Sequence, residues 1–127
     1  MDQRPVYLDL TKIRLPMSAF SSITHRLSGM YVFFITLPVI LYLIYQSTSS
    51  KFNYENLLTD LSALSYLSLF VYISLLIFWY HILTGIRHLI MDFLHIGESL
   101  HASNNSAIFV LVFWLISSIL FLMYIYI

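Results

Sequence analysis

The charged residues of this sequence leave three long stretches without any Asp, Glu, Lys or Arg, at residues 27–50, 61–86 and 99–127. A helix needs about 20 consecutive, mainly apolar residues to cross the hydrocarbon core of a bilayer. The apolar runs are continuous rather than alternating, which disfavours the strands of a membrane barrel. The sequence therefore predicts an all-α integral membrane protein with three transmembrane helices, at about residues 24–46, 61–87 and 107–127.

The composition supports this class of protein and excludes several others. Apolar residues make up 60% of the 127 residues and charged residues only 9%, whereas soluble domains are ~25% charged. Six basic residues balance six acidic ones, so the chain has no basic field that would attract nucleic acid. Cysteine is absent, which excludes disulfides and iron–sulfur ligation by this chain. We expect residues 1–127 to form a single membrane-anchor domain.

Basic residues are concentrated before the first predicted span. Three of the six precede it and a fourth lies in its first turn: Arg4, Lys12, Arg14 and Arg26. The next connection has only Lys51 beside two acidic residues, and Arg87 is assigned to the second loop. The positive-inside tendency places the N-terminal segment 1–23 at the cytoplasmic face and the C-terminus in the periplasm. The lack of an Arg-rich leader favours a bacterial inner membrane, with the mitochondrial inner membrane as the alternative.

Turn-forming residues interrupt the apolar pattern at three places. Pro38 lies inside the first predicted helix, where it predicts a kink that frees the carbonyl of Phe34. Residues 46–50 and 103–106 consist of Gln, Ser, Thr and Asn, and this composition predicts polar turns. Ser106 is then a suitable cap for the third helix.

Polar residues within the spans are the candidates for function, because hydrocarbon makes them costly unless they face a bundle interior, a cofactor or water. His81 lies six residues before Arg87 and therefore about 9 Å deeper in the membrane along the helix axis. Burial there favours a neutral imidazole, which is a good ligand for haem iron. Gly85, one turn away on the same face, leaves room for a flat macrocycle. The alternative is a hydrogen-bonded core histidine beside a packing glycine.

The spacing of the histidines limits how an iron could be held. His81 and His88 share a helix face but lie about 10.5 Å apart along the axis, so they cannot be the two axial ligands of one iron. His25 neighbours Arg26 and is expected nearer the membrane surface than His81. If His81 binds iron with a second histidine opposite, that histidine most simply comes from another chain.

A second group of polar residues opens the first helix. Ser22 and Arg26 are four residues apart and project from the same face. A hydroxyl beside a guanidinium can donate hydrogen bonds to a quinone carbonyl, on which negative charge develops during reduction. Arg26 and His25 can also pair with haem propionates. The alternative is a snorkelling anchor and a hydroxyl near the helix cap.

A third group of polar residues follows His81. Asp92 is four residues after His88, so the two can share a helix face. The later titratable residues are interpreted as solvated loop residues, and their spacing fits no zinc motif, so no metal is assigned to them: His95, Glu98 and His101.

Two motifs of this sequence resemble those of a known family. The first comprises RPVYLDL from Arg4, IRLP from Ile13 and SITHRLSG from Ser22, and the second reads HILTGIRHLIMD from His81. Both occur in the expected order on the expected helices, and the three-span layout covers essentially the whole chain. In this combination the sequence resembles the cytochrome b type of membrane anchor found in succinate dehydrogenase, respiratory complex II.

The resemblance implies roles for individual residues. His81 would be the axial ligand that this chain provides to the iron of haem b, and a second membrane-anchor subunit would supply the other axial histidine. Ser22 and Arg26 would line the ubiquinone site, while His25 and Arg26 would lie near the haem propionates. Many members have Trp where this chain has Met91, a departure that touches neither site.

The resemblance also implies a division of labour between subunits. A flavoprotein subunit oxidises succinate and an iron–sulfur subunit passes electrons on, while this chain helps to reduce ubiquinone and is not catalytic in isolation. No residue is assigned to proton transfer. Two other functions compete with this one: a cofactor-free structural or assembly subunit surrounded by lipid, and a small proton-conducting bundle using His81 and Arg26.

Overall fold

A computed structural model of the chain describes residues 15–62, 64–97 and 99–126. Its regular elements in these ranges are helices: α1 (Met17–Tyr31), a π-helical segment (Val32–Thr36), α2 (Leu37–Ser49), α3 (Lys51–Ser62), α4 (Tyr66–Leu94) and α5 (Leu100–Tyr126). Because α1, the π-helical segment and α2 are continuous, three helices are long and apolar enough to cross a membrane, namely Met17–Ser49, Tyr66–Leu94 and Leu100–Ile125. The prediction of an all-helical chain with three such helices is confirmed.

The helices extend beyond most of the predicted spans. The first begins at Met17 rather than near residue 24, the second runs over 66–94 rather than 61–87, and the third begins at residue 100 rather than 107. The 33 residues of the first helix measure about 50 Å, more than the ~30 Å of a hydrocarbon core, so this helix tilts or protrudes. Three N-terminal basic residues and one acidic loop residue lie outside the described ranges: Arg4, Lys12, Arg14 and Glu98.

The polar segment 103–106 lies inside α5, so the turn predicted there is wrong. One reason is visible at the start of α1, where Pro16 offers no side-chain cap to the first-turn N–H groups. The backbone N–H of Ser18 instead donates to Oδ1 of Asn104 at 3.0 Å. Asn104, a residue type common in turns, thus lies within α5 and caps the first turn of α1.

Small and polar side chains form the interior of the bundle. Ala107 is the only buried apolar residue of the described transmembrane helices, and large side chains such as Phe34, 70% exposed, face outward. The buried polar residues are Ser21, Ser28, Thr36, Ser68, Ser74, Thr84, Arg87, Ser103 and Ser118. In a membrane this pattern is expected, because small residues let helices approach closely while apolar side chains face the lipid.

Pro38 is accommodated by a widened helical turn. Proline lacks an N–H and its ring clashes with the carbonyl four residues earlier, here that of Phe34. The preceding segment adopts π-helical geometry, and the N–H of Leu37 donates to the carbonyl of Val32. The sequence correctly located this disturbance, and the structure shows that it takes the form of a π-helical segment within a continuous helix.

Arg87 lies within α4 and not in a loop, so its assignment to the second loop is wrong. Only 6% of the residue is exposed. Its Nε donates to Oγ of Ser106 at 2.9 Å, and Nη2 donates to the carbonyl and hydroxyl oxygens of Ser103 at 2.7 and 3.0 Å. These bonds offset the cost of burying a guanidinium and connect α4 to α5. Ser106, predicted to be a helix cap, is therefore an acceptor for Arg87.

Replacing Arg87 by alanine tests this connection. We expect Arg87→Ala to lower the free energy of unfolding in detergent micelles by about 2 kcal/mol, because hydrogen bonds to a charged group contribute roughly 1.5–3 kcal/mol. Titration with a denaturing detergent, followed by circular dichroism, measures the change. Lys51→Ala is the control, since Lys51 is exposed and its 3.7 Å ion pair with Glu55 contributes little. Equal losses in the two variants would contradict the assignment.

Candidate functional site

Three histidines that are distant in the sequence meet between α1 and α4. The rings of His25 and His81 are stacked, with centroids 4.3 Å apart and planes inclined by 3°. The ring of His88 lies 5.2 Å from that of His25, at 51°. Because α1 begins at Met17, His25 lies within the helix and not at its end. That His25 lies nearer the membrane surface than His81 stays a prediction.

Each of the two stacked rings packs over a glycine of the opposite helix. A Cβ atom placed on Gly29 of α1 would lie 3.0 Å from Cε1 of His81, and one placed on Gly85 of α4 would lie 3.3 Å from Cε1 of His25. The room predicted beside Gly85 is therefore taken up by the ring of His25. These close approaches explain why both positions lack a side chain.

The hydrogen bonds of His81 define its tautomer. Nδ1 lies 3.1 Å from Oγ of Ser28 and 3.3 Å from the carbonyl oxygen of His25. The Ser28 hydroxyl donates its own hydrogen to that carbonyl at 2.7 Å, so its oxygen accepts from the imidazole. Nδ1 therefore carries the proton, and the lone pair is on Nε2. Among the described residues Nε2 has no hydrogen-bond partner.

His25 is held by the same kind of contact. Its Nδ1 lies 2.8 Å from Oγ1 of Thr84. The Thr84 hydroxyl donates to the carbonyl oxygen of Tyr80 at 2.8 Å and accepts from the imidazole. Both stacked rings thus carry a proton on Nδ1. Tyr80 also hydrogen-bonds Thr24, which adds a further link between α1 and α4.

His81 has the features of a haem-iron ligand. Metal-binding histidines usually donate the second ring N–H to an oxygen, which fixes the tautomer and raises the basicity of the ligating nitrogen. His81 meets this condition through Ser28. His25 and His81 cannot ligate opposite sides of one iron, because face-to-face rings direct their in-plane lone pairs side by side. This geometry supports the expectation that a second axial histidine belongs to another chain.

Ser22 and Arg26 lie one turn apart on α1, next to the histidine cluster. Arg26 is exposed and Ser22 half-buried. Neither side chain has a hydrogen-bond partner within residues 15–62, 64–97 and 99–126, whereas buried Arg87 has three acceptors. The two side chains are therefore free to donate to a ligand from outside this chain.

The remaining predicted polar residues lie towards and beyond the end of α4. In the described ranges no hydrogen bond joins Asp92 to His88. His95 terminates α4 with a left-handed backbone, φ 51°. His101 is exposed and contacts Asn105 at 3.4 Å. Within the residues that the structure covers, no group of three or more potential ligands is arranged to hold a metal ion.

Two residues of the site were missed from the sequence, Ser28 and Thr84. A signal was present, because each follows a histidine by three residues, at His25 and His81 respectively. At this spacing a hydroxyl reaches the carbonyl one helical turn back. The sequence could not show that the same hydroxyl also accepts from an imidazole of the other helix.

Comparison with known proteins identifies relatives of the chain. The profile of the succinate dehydrogenase/fumarate reductase transmembrane subunit family matches residues 1–121. The chain is 39% identical over 118 residues to the succinate dehydrogenase cytochrome b556 subunit of Coxiella burnetii (strain RSA 493 / Nine Mile phase I), covering 93% of each chain. It is 38% identical over 90 residues to the succinate dehydrogenase cytochrome b560 subunit of Porphyra purpurea, covering 70% of this chain and 71% of the relative.

The two glycine contacts predict different tolerances to a methyl group. We expect Gly29→Ala to lower the free energy of unfolding by about 1–3 kcal/mol, because the ring of His81 must move to relieve a 3.0 Å contact. Gly85→Ala should cost less, since its methyl group lies 3.3 Å from His25. Detergent unfolding of the two variants in parallel measures both. A larger loss for Gly85→Ala than for Gly29→Ala would contradict this ranking.

Proposed function

We propose that this chain, which belongs to the succinate dehydrogenase/fumarate reductase transmembrane subunit family, is the haem b-binding membrane-anchor subunit of a succinate:ubiquinone oxidoreductase. As a member of that family it is one subunit of an enzyme complex. The observation that carries the proposal is His81, an imidazole within a transmembrane helix. Its Nδ1–H is bound by Ser28, and its Nε2 has no hydrogen-bond partner among the described residues.

In this proposal His81 would bind the iron of haem b through Nε2, and a histidine of a second membrane-anchor subunit would be the other protein ligand. The cytochrome b names of both relatives support this assignment. When bound, the haem provides a site for one-electron oxidation and reduction. The contribution of this chain is to keep the proton of His81 on Nδ1 and to set its ring plane through the contact with Gly29. His25 and Arg26 are proposed to lie near the haem propionates, since a guanidinium suits carboxylates. The Nδ1–H of His25 is donated to Thr84, so His25 would donate to a propionate only from a protonated Nε2.

Ser22 and Arg26 are proposed to bind ubiquinone. A carbonyl oxygen becomes negatively charged as it is reduced, and donors already aimed at that oxygen stabilise the charge. Ser22 and Arg26 suit this task because they are neighbours on α1 and have no acceptor among the described residues of this chain. A donor on the second anchor subunit or on the iron–sulfur subunit would complete the site. No residue of this chain is assigned to proton transfer.

In the proposed complex, electrons pass from succinate to ubiquinone. A flavoprotein subunit oxidises succinate, an iron–sulfur subunit transfers single electrons, and this chain holds ubiquinone near the end of that path. Arg26 and the preceding basic residues then lie at the cytoplasmic face, with the C-terminus in the periplasm. The bacterial relative supports a bacterial inner membrane as the location.

The role of His81 is tested by removing its imidazole from the intact complex. We expect His81→Ala to weaken haem binding and to change the reduced-minus-oxidised spectrum, because the iron loses an axial nitrogen. Haem content per flavin and the optical spectrum are measured on the purified complex. His101→Ala is the control, since that ring is exposed and contacts only Asn105 among the described residues. An unchanged haem content and spectrum in His81→Ala would refute the haem role and favour a cofactor-free or proton-conducting subunit.

The role of Arg26 is tested by separating two activities of the complex. We expect Arg26→Ala to slow ubiquinone reduction by about 10-fold or more, as a hydrogen bond from a charged donor contributes roughly 1.5–3 kcal/mol. Succinate oxidation with a soluble dye should remain, since it bypasses the quinone site. Lys51→Ala, an exposed charge in α3, should change neither rate. Equal loss of both activities in Arg26→Ala would indicate failed assembly and contradict the assignment.

A further inference from the structure

Two five-residue stretches on different helices follow the same pattern. Residues 25–29 read HRLSG on α1 and residues 81–85 read HILTG on α4, so each places His, Leu, a hydroxyl residue and Gly at equal spacing. Consecutive membrane-spanning helices run in opposite directions. The same pattern therefore occurs on both sides of the interface between α1 and α4, running in opposite directions.

The contacts between the two stretches are reciprocal. His81 gives its Nδ1–H to Ser28 and packs over Gly29, while His25 gives its Nδ1–H to Thr84 and packs over Gly85. Each hydroxyl hydrogen is used by a carbonyl of its own helix. The stacked imidazoles lie at the centre of this exchange, 4.3 Å apart. The interface thus has a local twofold pseudosymmetry.

We infer that Ser28 is a positioning residue for His81: by accepting the Nδ1–H, it keeps the lone pair of His81 on Nε2 and orients the ring for haem iron. This inference rests on the proposed haem ligation by His81. Ser28 is 7% exposed and Gly29 lies against the ring, so water has little access to replace the hydroxyl. Thr84 makes the equivalent contact with His25, which is not proposed to bind iron.

The carbonyl of His25 would be the nearest remaining acceptor for Nδ1–H in a chain that lacks the Ser28 hydroxyl. It lies 3.3 Å from Nδ1, further than the hydroxyl at 3.1 Å. A longer hydrogen bond leaves the imidazole a weaker electron donor to its metal. A weaker donor destabilises oxidised iron more than reduced iron, so the haem reduction potential would rise. A residue that only filled space would leave the potential unchanged.

The experiment compares substitutions in the whole purified complex. In Ser28→Ala we expect a more positive haem reduction potential and about 10-fold faster loss of haem to apomyoglobin, the lower end of the usual cost of removing such a partner. Ser28→Thr should retain wild-type values, because Thr84 shows that threonine serves the same contact. Thr84→Ala should shift the potential less than Ser28→Ala.

Ser21→Ala is the matched control for lost volume and lost hydroxyl. Ser21 is also buried on α1, 1% exposed, and its Oγ has no hydrogen-bond partner among the described residues. Subunit ratio and dye-linked succinate oxidation confirm that each variant assembles. The inference is overturned by an unchanged potential and haem-loss rate in Ser28→Ala, or by an equal shift in Ser21→Ala. An unchanged spectrum in His81→Ala would instead overturn the haem ligation itself, so the two failures are distinguishable.

Discussion

Polar side chains in a lipid environment must find their partners inside the protein, and this requirement shapes the bundle. Lipid tails provide no hydrogen bonds and no hydrophobic driving force between helices, so interhelical contacts depend on close packing and on polar pairs. The described transmembrane helices follow this rule, with a buried interior of Ser, Thr and Ala beneath an apolar exterior. Even the guanidinium of Arg87 within α4 follows this rule, since it donates hydrogen bonds to neutral oxygens of Ser103 and Ser106.

The same requirement accounts for the histidine cluster. An imidazole has one donor and one acceptor when neutral, and in this bundle the donor of each stacked ring is bound by a hydroxyl of the other helix. The other ring nitrogen of His81 has no hydrogen-bond partner in the described part of the chain, and it is the atom proposed to bind haem iron. The hydrogen bond between His81 and Ser28 thus joins α1 to α4, and it also orients the ring that is proposed to bind haem iron.

The two proposed sites differ in how they are prepared. The ring of His81 is set by contacts with Ser28 and Gly29 inside the bundle. Ser22 and Arg26, by contrast, have no hydrogen-bond partner in the described ranges and stand at the surface of α1. A buried ligand for a permanently bound cofactor benefits from fixed geometry, whereas a substrate that enters and leaves needs accessible donors. Family membership makes the chain one subunit of a complex, and other subunits are proposed to complete both sites.

Charge distribution and hydropathy alone determined the membrane class, the three spans and the candidate residues His81, Ser22 and Arg26, because hydrocarbon imposes a strong and local penalty on every polar residue. The position of Pro38 likewise marked the disturbed segment of the first helix. Residues 103–106 were misread as a turn because their acceptors serve Ser18 and Arg87, which are distant in the chain. The stacking of His25 on His81, and the exchange of hydroxyls and glycines around them, depend on how two helices are aligned along each other. Side chains separated by more than fifty residues set that alignment, so only the tertiary structure decided it.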